Sequence, residues 1–332
     1  MPLHLPPDDG PPSFHDMLAA AGYRALTAGL RLGVFDALAD GPRSTAALAD
    51  ALGTDPRGTA LLGDLLVSFG YLLREGDGFA NAPATTSWLT GAGYTDVQKF
   101  WSVVLFESWQ DLEGSVRTGK PALDFYAWLA ERPDVLRRFQ GMLSGHADHI
   151  APEVASTVPV GATLLDVGGG HATHAIRLCA AHPSLRATVV DLPEALAVGG
   201  AAVAEAGLAD RVELRPGDYD DLDLGSGFDT ALLFNVVHGR TAEANERLLA
   251  RVADALAPGG AVVLLEHDEH VDDPASDAFA RVFSLNLFHG QGGQVYSAEE
   301  IGGWLTATGF DPPSAHPLAS SPGQSLLVAR KR

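Results

Sequence analysis

This 332-residue chain has a single cysteine and few basic residues relative to acidic ones. Cys179 is the only cysteine, so no disulfide can form within the chain, and we expect a reducing, cytoplasmic environment. Lys and Arg number 22 against 42 Asp and Glu, a formal net charge of −20. A surface this acidic repels phosphate backbones and anionic lipid headgroups. The charge argues against DNA, RNA or a membrane as the main partner and favours a small neutral or cationic ligand.

Signals for membrane insertion and export are also lacking. No apolar run is long enough to span a bilayer. Residues 1–12 are rich in proline and carry Asp8 and Asp9, where a secretion signal would have a basic start and an apolar stretch. We therefore expect a disordered lead-in, followed by a chain long enough for two domains.

Residues 13–96 have the pattern of a small, mostly helical domain. An apolar helical region runs from Tyr23 to Leu38, Ser44 caps a second helix, and Asp55-Pro56 opens a third. Residues 71–79 then have the pattern of a strand, a glycine-rich turn and a return strand, so we predict a winged helix. Arg57 is the only basic residue of the third helix, which favours a protein–protein or dimerisation module over DNA binding.

Residues 97–158 are expected to form a helical linker rich in large apolar side chains. Aromatic residues at helical spacing usually belong to a core, but some can line a pocket for a flat substrate, and the sequence leaves both uses open. On composition alone, the candidates for such a pocket are Trp101, Phe106 and Trp109.

Residues 159–332 alternate between strands and helices. This alternation is typical of a parallel sheet with right-handed crossovers, so we predict a doubly wound, Rossmann-like α/β domain. A helix at 248–256 is expected to stop at Pro258-Gly259-Gly260, and the last strand is expected to be antiparallel. The predicted strands are 163–167, 186–190, 212–215, 228–234, 261–265 and 324–329.

A glycine loop follows the first of these strands. Gly168 and Gly170 match the first two glycines of a dinucleotide-binding fingerprint, but Thr173 occupies the place of the third, which weakens the case for pyrophosphate. Asp191 comes at the tip of the second strand, where it could accept hydrogen bonds from ribose hydroxyls. Asp218 and Tyr219 follow the third strand.

Asp218 and Tyr219 suit an adenine, because the Asp218 carboxylate could accept from the adenine amino group and the Tyr219 ring could pack on the base. Acidic residues at the ends of three successive strands suit a cationic sulfonium cofactor better than a dinucleotide.

Several stretches of this chain together resemble one known family. The chain is similar to the two-domain S-adenosylmethionine-dependent O-methyltransferases of the plant caffeate type and their bacterial secondary-metabolism relatives. The resemblance covers nearly the whole chain and implies a homodimer formed through the N-terminal domain. It is carried by residues 165–170, 190–193, 217–218, 256–260, 292–293 and 307–310.

The resemblance also implies roles for individual residues. His238, which is expected to end the fourth strand, matches the family's catalytic histidine. Glu266, at the end of the fifth strand, matches a glutamate that fixes its tautomer. The cofactor, S-adenosylmethionine, would be bound by Asp166, Gly168, Gly170, Asp191, Leu192, Asp218, Tyr219, Phe234 and Asn235. The substrate pocket would include Phe139, Leu143, His146, Leu285, Asn286 and His289.

The sequence departs from the family's pattern at three places. Ala172 stands where a third glycine is usual, and Gly239-Arg240 stands where Asp-Trp usually follows the histidine. Val295 falls where a second carboxylate would support the base, so His238 has one supporting acid rather than two.

Two histidine pairs and the acidic stretch 266–270, which contains His267 and His270, are candidate metal ligands. His146 and His149 are three residues apart, as are His171 and His174, but neither pair has the spacing of a strong zinc motif, and we expect no metal.

Taken together, the sequence predicts an O-methyltransferase acting on a hydroxyl of a small aromatic or polyketide-like metabolite. His238 would be the general base, because a phenol with a pKa of about 10 is largely protonated at neutral pH. Two alternatives stay open on the same fold. One is methyl transfer to carbon or nitrogen, and the other is non-methylating chemistry such as hydroxylation, decarboxylation or rearrangement. A non-catalytic binding or regulatory protein is a third.

Overall fold

The computed structural model describes residues 13–91 and 93–332. These residues form two compact units that divide between Gln110 and Asp111. The boundary expected at residue 96 lies inside a helix, Tyr94–Glu107, and the lead-in expected at 1–12 lies outside the described residues. Among the described residues, no helix is both long enough and apolar enough to cross a membrane.

The first unit is mostly helical, and its caps are those that the sequence predicts. The Ser44 side chain accepts from Ala47 N (3.2 Å), and Asp55 Oδ1 accepts from Gly58 N (2.8 Å). Its helices are α1 (Ser13–Leu32), α2 (Val34–Ala37), α3 (Thr45–Leu52), α4 (Pro56–Ser68), α5 (Pro83–Trp88) and α6 (Tyr94–Glu107). Its strands are β1 (Arg43–Ser44), β2 (Leu72–Glu75) and β3 (Gly78–Asn81).

The three strands of this unit form a small antiparallel sheet in the order β1-β3-β2. The hairpin β2–β3 follows α3 and α4 directly, which confirms the predicted winged helix. Phe35, Leu48, Leu66 and Phe79 are almost fully buried and join the helices to the sheet.

The second unit carries the α/β sheet. Its helices are α7 (Leu112–Thr118), α8 (Phe125–Ala130), α9 (Pro133–Thr157), α10 (Thr173–Ala181), α11 (Pro193–Glu205), α12 (Ala242–Ala255), α13 (Pro274–Gln291) and α14 (Ala298–Ala307). Its strands are β4 (Thr163–Val167), β5 (Arg186–Asp191), β6 (Val212–Pro216), β7 (Phe228–Phe234), β8 (Leu256–His267), β9 (Ser314–Pro317) and β10 (Gln324–Arg330).

The seven strands of the second unit lie in the order β6-β5-β4-β7-β8-β10-β9. The first five are parallel, and β10 is antiparallel to both β8 and β9. The chain runs outward from β4 to β6 and then returns to β7, so the direction of winding reverses beside β4. Open α/β sheets bind ligands at such a switch point, at the carboxyl ends of the strands.

Both faces of this sheet are buried. Leu164 faces one apolar cluster and Leu165 the other, as the two-residue period of a strand requires. Helices α10 and α11 cover the first face, and α12 and α14 cover the second. This arrangement confirms the predicted doubly wound domain.

Two local expectations were wrong, and one strand was not expected. Strand β8 begins at Leu256 rather than Ala261, because Phe228 pairs with Leu256 and the register then shifts, so that Pro258-Gly259-Gly260 lies within an irregular strand. His238 does not end β7, which stops at Phe234; it lies in a single 3-10 turn, Val237–Gly239. Strand β9 was not expected at all.

Candidate active site

The glycine loop joins β4 to α10 through two left-handed residues. Gly168 has φ 74°, and a methyl group added there would lie 2.8 Å from the side chain of Val236. Ala172 has φ 57° and precedes the first turn of α10. The left-handed conformation explains why glycine suits position 172, and alanine is the smallest side chain that can replace it.

Asp191 ties the end of β5 to this loop. Its Oδ2 accepts from Gly170 N (2.8 Å), and its Oδ1 accepts from Leu192 N (2.7 Å). Burial raises the pKa of the Asp191 carboxyl, and these two hydrogen bonds oppose the rise. The carboxylate is thus held at the switch point, beside a loop that would approach a ligand closely.

Two buried acceptors beside the glycine loop lack a partner. Among the described residues, Asp166 Oδ2 and Gln140 Oε1 have no hydrogen-bond partner, although their residues are only 2% and 6% exposed. A methyl group added at Gly170 would lie 3.6 Å from Gln140 Oε1 and 3.1 Å from Asp191 Oδ2. Burial, and then the charge of Asp191, raise the pKa of Asp166 to about 7.

Unpaired buried acceptors are costly unless a ligand supplies donors. S-adenosylmethionine has such donors in its ammonium group and ribose hydroxyls, so these unpaired acceptors fit the cofactor.

The loop after β6 is held by an arginine. Asp218 is exposed, and its Oδ1 accepts from Asp220 N (2.9 Å). The Arg240 guanidinium lies over the Tyr219 ring, 5.2 Å from its centroid, and donates to both carboxylate oxygens of Asp220 at 2.6 and 2.8 Å. Arg240 therefore fixes the ring that was expected to pack on adenine.

His238 and Glu266 are in direct contact. His238 Nδ1 donates to Glu266 Oε2 at 2.5 Å, and both residues are buried. The other glutamate oxygen, Oε1, accepts from the N–H groups of Val236 (3.1 Å) and Val237 (3.0 Å). With Nδ1 donating, the neutral imidazole has its lone pair on Nε2, which is the arrangement a general base needs.

The backbone before His238 is unusual. Asn235 has φ 57°, and its N–H donates to Leu265 O (2.9 Å). The ring of the preceding Phe234 meets the ring of His174 edge-on at 4.7 Å. This bend turns the chain out of β7 and into the turn that carries His238.

The later glycine pair packs against the same turn. A methyl group on Gly293 would overlap the carbonyl oxygen of His238 and the backbone nitrogen of Arg240. Glycine is therefore required at this position for the turn to keep its place.

Three of the residues expected around the substrate contact residues outside the expected set. His146 Nε2 bonds Gln324 Oε1 at 2.7 Å, and His289 Nδ1 bonds Ser115 Oγ at 2.8 Å. Phe139 lies on α9 and meets Phe125 edge-on at 5.6 Å. Leu143 also lies on α9, and Leu285 and Asn286 lie on α13. Leu143 and Leu285 are half-buried, and Asn286 is buried.

Trp101, Phe106 and Trp109 belong to the first unit. Trp101 meets Phe100 at 5.9 Å and Phe106 meets Tyr23 at 6.1 Å, measured between ring centroids. Their assignment to the substrate pocket stays a prediction.

Sequence reasoning missed Gln140 and His267. His267 ends β8, and its ring lies 6.3 Å from that of His238 and 4.8 Å from that of Phe283. The only sequence signal for His267 is its place in the acidic, histidine-containing stretch 266–270. Within residues 13–91 and 93–332, no group of three or more His, Cys, Asp or Glu side chains could hold a metal ion.

Comparison with known proteins identifies two regions. A family model described as an O-methyltransferase domain matches residues 109–311, and one described as an O-methyltransferase dimerisation domain matches residues 17–91. The 3-hydroxy-5-methyl-1-naphthoate 3-O-methyltransferase of Streptomyces sahachiroi is 29% identical, over 98% of this chain and 96% of its own length. The tetracenomycin polyketide synthesis 8-O-methyl transferase of Streptomyces glaucescens is 30% identical, over 95% and 94%.

Solved structures agree with this match. The mitomycin 7-O-methyltransferase superposes with a TM-score of 0.86 at 26% identity, covering 96% of this chain and 97% of its own. Structures of the same fold have been solved with SAH and with SAM. The chain belongs to the S-adenosylmethionine-dependent O-methyltransferase family, in which an α/β methyltransferase domain follows a dimerisation domain.

Proposed function

We propose that this enzyme methylates a hydroxyl of a small aromatic or polyketide-like metabolite, with His238 as general base and Glu266 as the residue that orients it. The observation that carries the proposal is the 2.5 Å contact between His238 Nδ1 and Glu266 Oε2. It leaves Nε2 of a buried imidazole as the proton acceptor at the carboxyl end of the sheet, where a ligand is expected.

The proposed reaction is a direct displacement. Bound S-adenosylmethionine supplies an electrophilic methyl group on a positively charged sulfur. The substrate hydroxyl gives its proton to Nε2 of His238, and its oxygen forms the new bond to the methyl carbon while the carbon–sulfur electrons stay on sulfur. The positive charge thus passes from sulfur to the imidazolium, which Glu266 stabilises through Nδ1.

For the cofactor, we propose three groups of contacts. Asp191 accepts from the ribose hydroxyls, and Tyr219 packs on the adenine while Asp218 accepts from its amino group. Asp166 and Gln140 accept from the ammonium group, since both have unpaired buried oxygens. Gly168, Gly170, Leu192, Phe234 and Asn235 complete the site as the family resemblance implies.

The substrate class rests on the relatives. Their names describe a hydroxynaphthoate and a tetracenomycin polyketide as the molecules that they methylate. Aromatic side chains on this chain's own helices, Phe139 on α9 and Phe283 on α13, support a flat substrate.

The deciding experiment measures methyl transfer from labelled S-adenosylmethionine to a panel of phenols, hydroxyquinones, 2-oxo acids and amines. Wild type would be compared with His238→Ala, and SAH affinity would be measured for both by calorimetry. Transfer to a hydroxyl by wild type, lost in the variant at unchanged SAH affinity, supports the proposal. Transfer only to carbon or nitrogen, or transfer that survives in His238→Ala, contradicts it.

We also propose that the protein is a homodimer assembled through residues 17–91, the region that matches the dimerisation domain. Light scattering after gel filtration tests this: the expected mass is twice the 34.7 kDa of one chain. Elution as a monomer at micromolar concentration would contradict it.

The single cysteine supports a cytoplasmic location.

A further inference from the structure

A second imidazole lies beside the proposed base. The ring centroids of His238 and His267 are 6.3 Å apart, and both rings contact Phe283, at 5.2 and 4.8 Å. Phe279 stacks on Phe283 with centroids 6.0 Å apart and planes within 6°. His238 and His267 therefore belong to one cluster of rings together with Phe283 and Phe279.

The protonation of His267 is set by Gln324. These two residues are register partners on β8 and β10, and Gln324 Nε2 lies 3.2 Å from His267 Nε2. Gln324 Oε1 accepts from His146 Nε2 (2.7 Å) and from Ser321 Oγ (2.9 Å), which turns the amide nitrogen toward His267. An amide nitrogen only donates, so His267 Nε2 must accept and the ring's proton must be on Nδ1.

The His267 ring is also uncharged. Burial, and then the neighbouring His238 and His146, lower its pKa to about 3. Among the described residues, no hydrogen bond to Nδ1 of His267 is present, so this N–H can be given to a ligand. The two neighbouring rings thus differ in kind: His238 offers an acceptor at Nε2, and His267 offers a donor at Nδ1.

We propose that the substrate is an aromatic compound in which the hydroxyl to be methylated has a carbonyl oxygen on the neighbouring or peri carbon, and that His267 donates to this oxygen. The inference rests on the proposed function and deepens it. A hydroxyl beside a carbonyl holds its proton in an internal hydrogen bond, which makes the proton harder to remove. The donor at His267 competes for the carbonyl and leaves the proton to Nε2 of His238.

Two isomers test this directly. 1-Hydroxyanthraquinone has a carbonyl peri to its hydroxyl, and 2-hydroxyanthraquinone has the same ring system without that neighbour. We expect wild type to favour the 1-isomer by about tenfold or more in kcat/KM, the scale of one buried hydrogen bond. The same order is expected in equilibrium binding to the SAH-loaded protein.

Variants at two positions separate a donor from a mere space-filling ring. His267→Phe should reduce the ratio of the two isomers about tenfold, whereas His267→Asn, whose amide N–H replaces Nδ1–H, should keep it. Gln324→Glu should also reduce the ratio, because a carboxylate would accept from Nε2 and remove the proton from Nδ1. Thermal melting and SAH affinity identify any variant that fails to fold.

The outcomes are distinct from those of the proposed function. If neither isomer is methylated but the SAH-loaded protein still prefers the 1-isomer through His267, the recognition stands and the proposed reaction fails. Equal or absent binding of the two isomers overturns the inference. A preference that His267→Phe and Gln324→Glu leave unchanged overturns it as well.

Discussion

Glu266 links the imidazole of His238 to the backbone that carries it. One carboxylate oxygen accepts from His238 Nδ1, and the other accepts from the N–H groups of Val236 and Val237, directly before the histidine. A single side chain on β8 therefore fixes the tautomer of His238 and the turn that carries this histidine.

Glu266→Gln should lower kcat about 10²-fold while SAH affinity changes less than about threefold. The amide oxygen can still accept from the two backbone N–H groups, but the amide nitrogen would then donate to His238 Nδ1. That forces the proton onto Nε2, and the base is in the wrong tautomer. Single-turnover methyl transfer measures the loss; a kcat within about threefold of wild type would show that Glu266 does not orient the base.

Gln140→Leu should weaken SAH binding about tenfold, the scale of a lost hydrogen bond to a charged group. Its affinity for 5′-methylthioadenosine, which lacks the amino-acid end, should stay within about twofold of wild type. Calorimetry with both ligands gives the comparison. Equal losses for the two ligands would mean that Gln140 acts on the loop rather than on the ammonium group.

Arg240→Gln should weaken the binding of SAH and of 5′-methylthioadenosine by the same factor, about three- to tenfold. Both ligands contain adenine, and the variant releases Tyr219 and Asp220 together. Asp220→Asn, which removes only the ion pair, should have a smaller effect. A loss confined to SAH would place Arg240 near the amino-acid end instead.

The affinity for SAH should fall as the pH drops below about 7. The pKa of Asp166 is raised to about 7 in the folded protein, so below that pH its carboxyl is protonated and must lose the proton to accept from an ammonium. The fall approaches tenfold per pH unit well below 7. Asp166→Asn should bind SAH more weakly, and its affinity for SAH should not change with pH below 7. If the affinity of this variant fell with pH as steeply as that of wild type, Asp166 would not be the titrating group.

The same shift bears on stability. A carboxyl whose pKa is raised on folding favours the folded state only while it is protonated, so its contribution is lost as the pH rises through about 7. Asp166→Asn should therefore melt at least about 2 °C higher than wild type at pH 8, in the absence of ligand. The difference should shrink as the pH falls below 7 and should vanish only below 3.8, the ordinary pKa of the carboxyl.

Gly293→Ala should lower kcat at least about tenfold and destabilise the protein, because the added methyl overlaps His238 O and Arg240 N. Gly303→Ala on α14 is the matched control, since a methyl group there meets no atom within 4 Å among the described residues. The control should melt at or above the wild-type temperature. Equal kcat values for the two variants would mean that the turn tolerates displacement.

The sequence predicted the parts of the molecule that local signals determine. Buried strands ending in glycine or aspartate gave the sheet and placed Asp191 at its switch point, and Ser44 and Asp55 marked their helices by capping. The partnership of His238 with Glu266 followed from resemblance to a family, not from spacing.

What the sequence could not predict depends on pairing between distant segments. The register that sets Gln324 opposite His267 joins residues 57 positions apart, and nothing local to either residue indicates it. Gln140 is one polar residue among several on α9, and its importance comes from a loop that follows 28 residues later. Pro258-Gly259-Gly260 is typical of a turn, but pairing with β7 draws it into β8.

The contacts proposed for the cofactor all fall on its amino-acid end, ribose and adenine, the parts that methyl transfer leaves unchanged. SAH, the product form of the cofactor, would therefore compete for the same site with an affinity close to that of S-adenosylmethionine. The rate in the cell would then follow the ratio of the two forms more closely than the amount of either. The enzyme would slow down whenever SAH accumulates relative to S-adenosylmethionine.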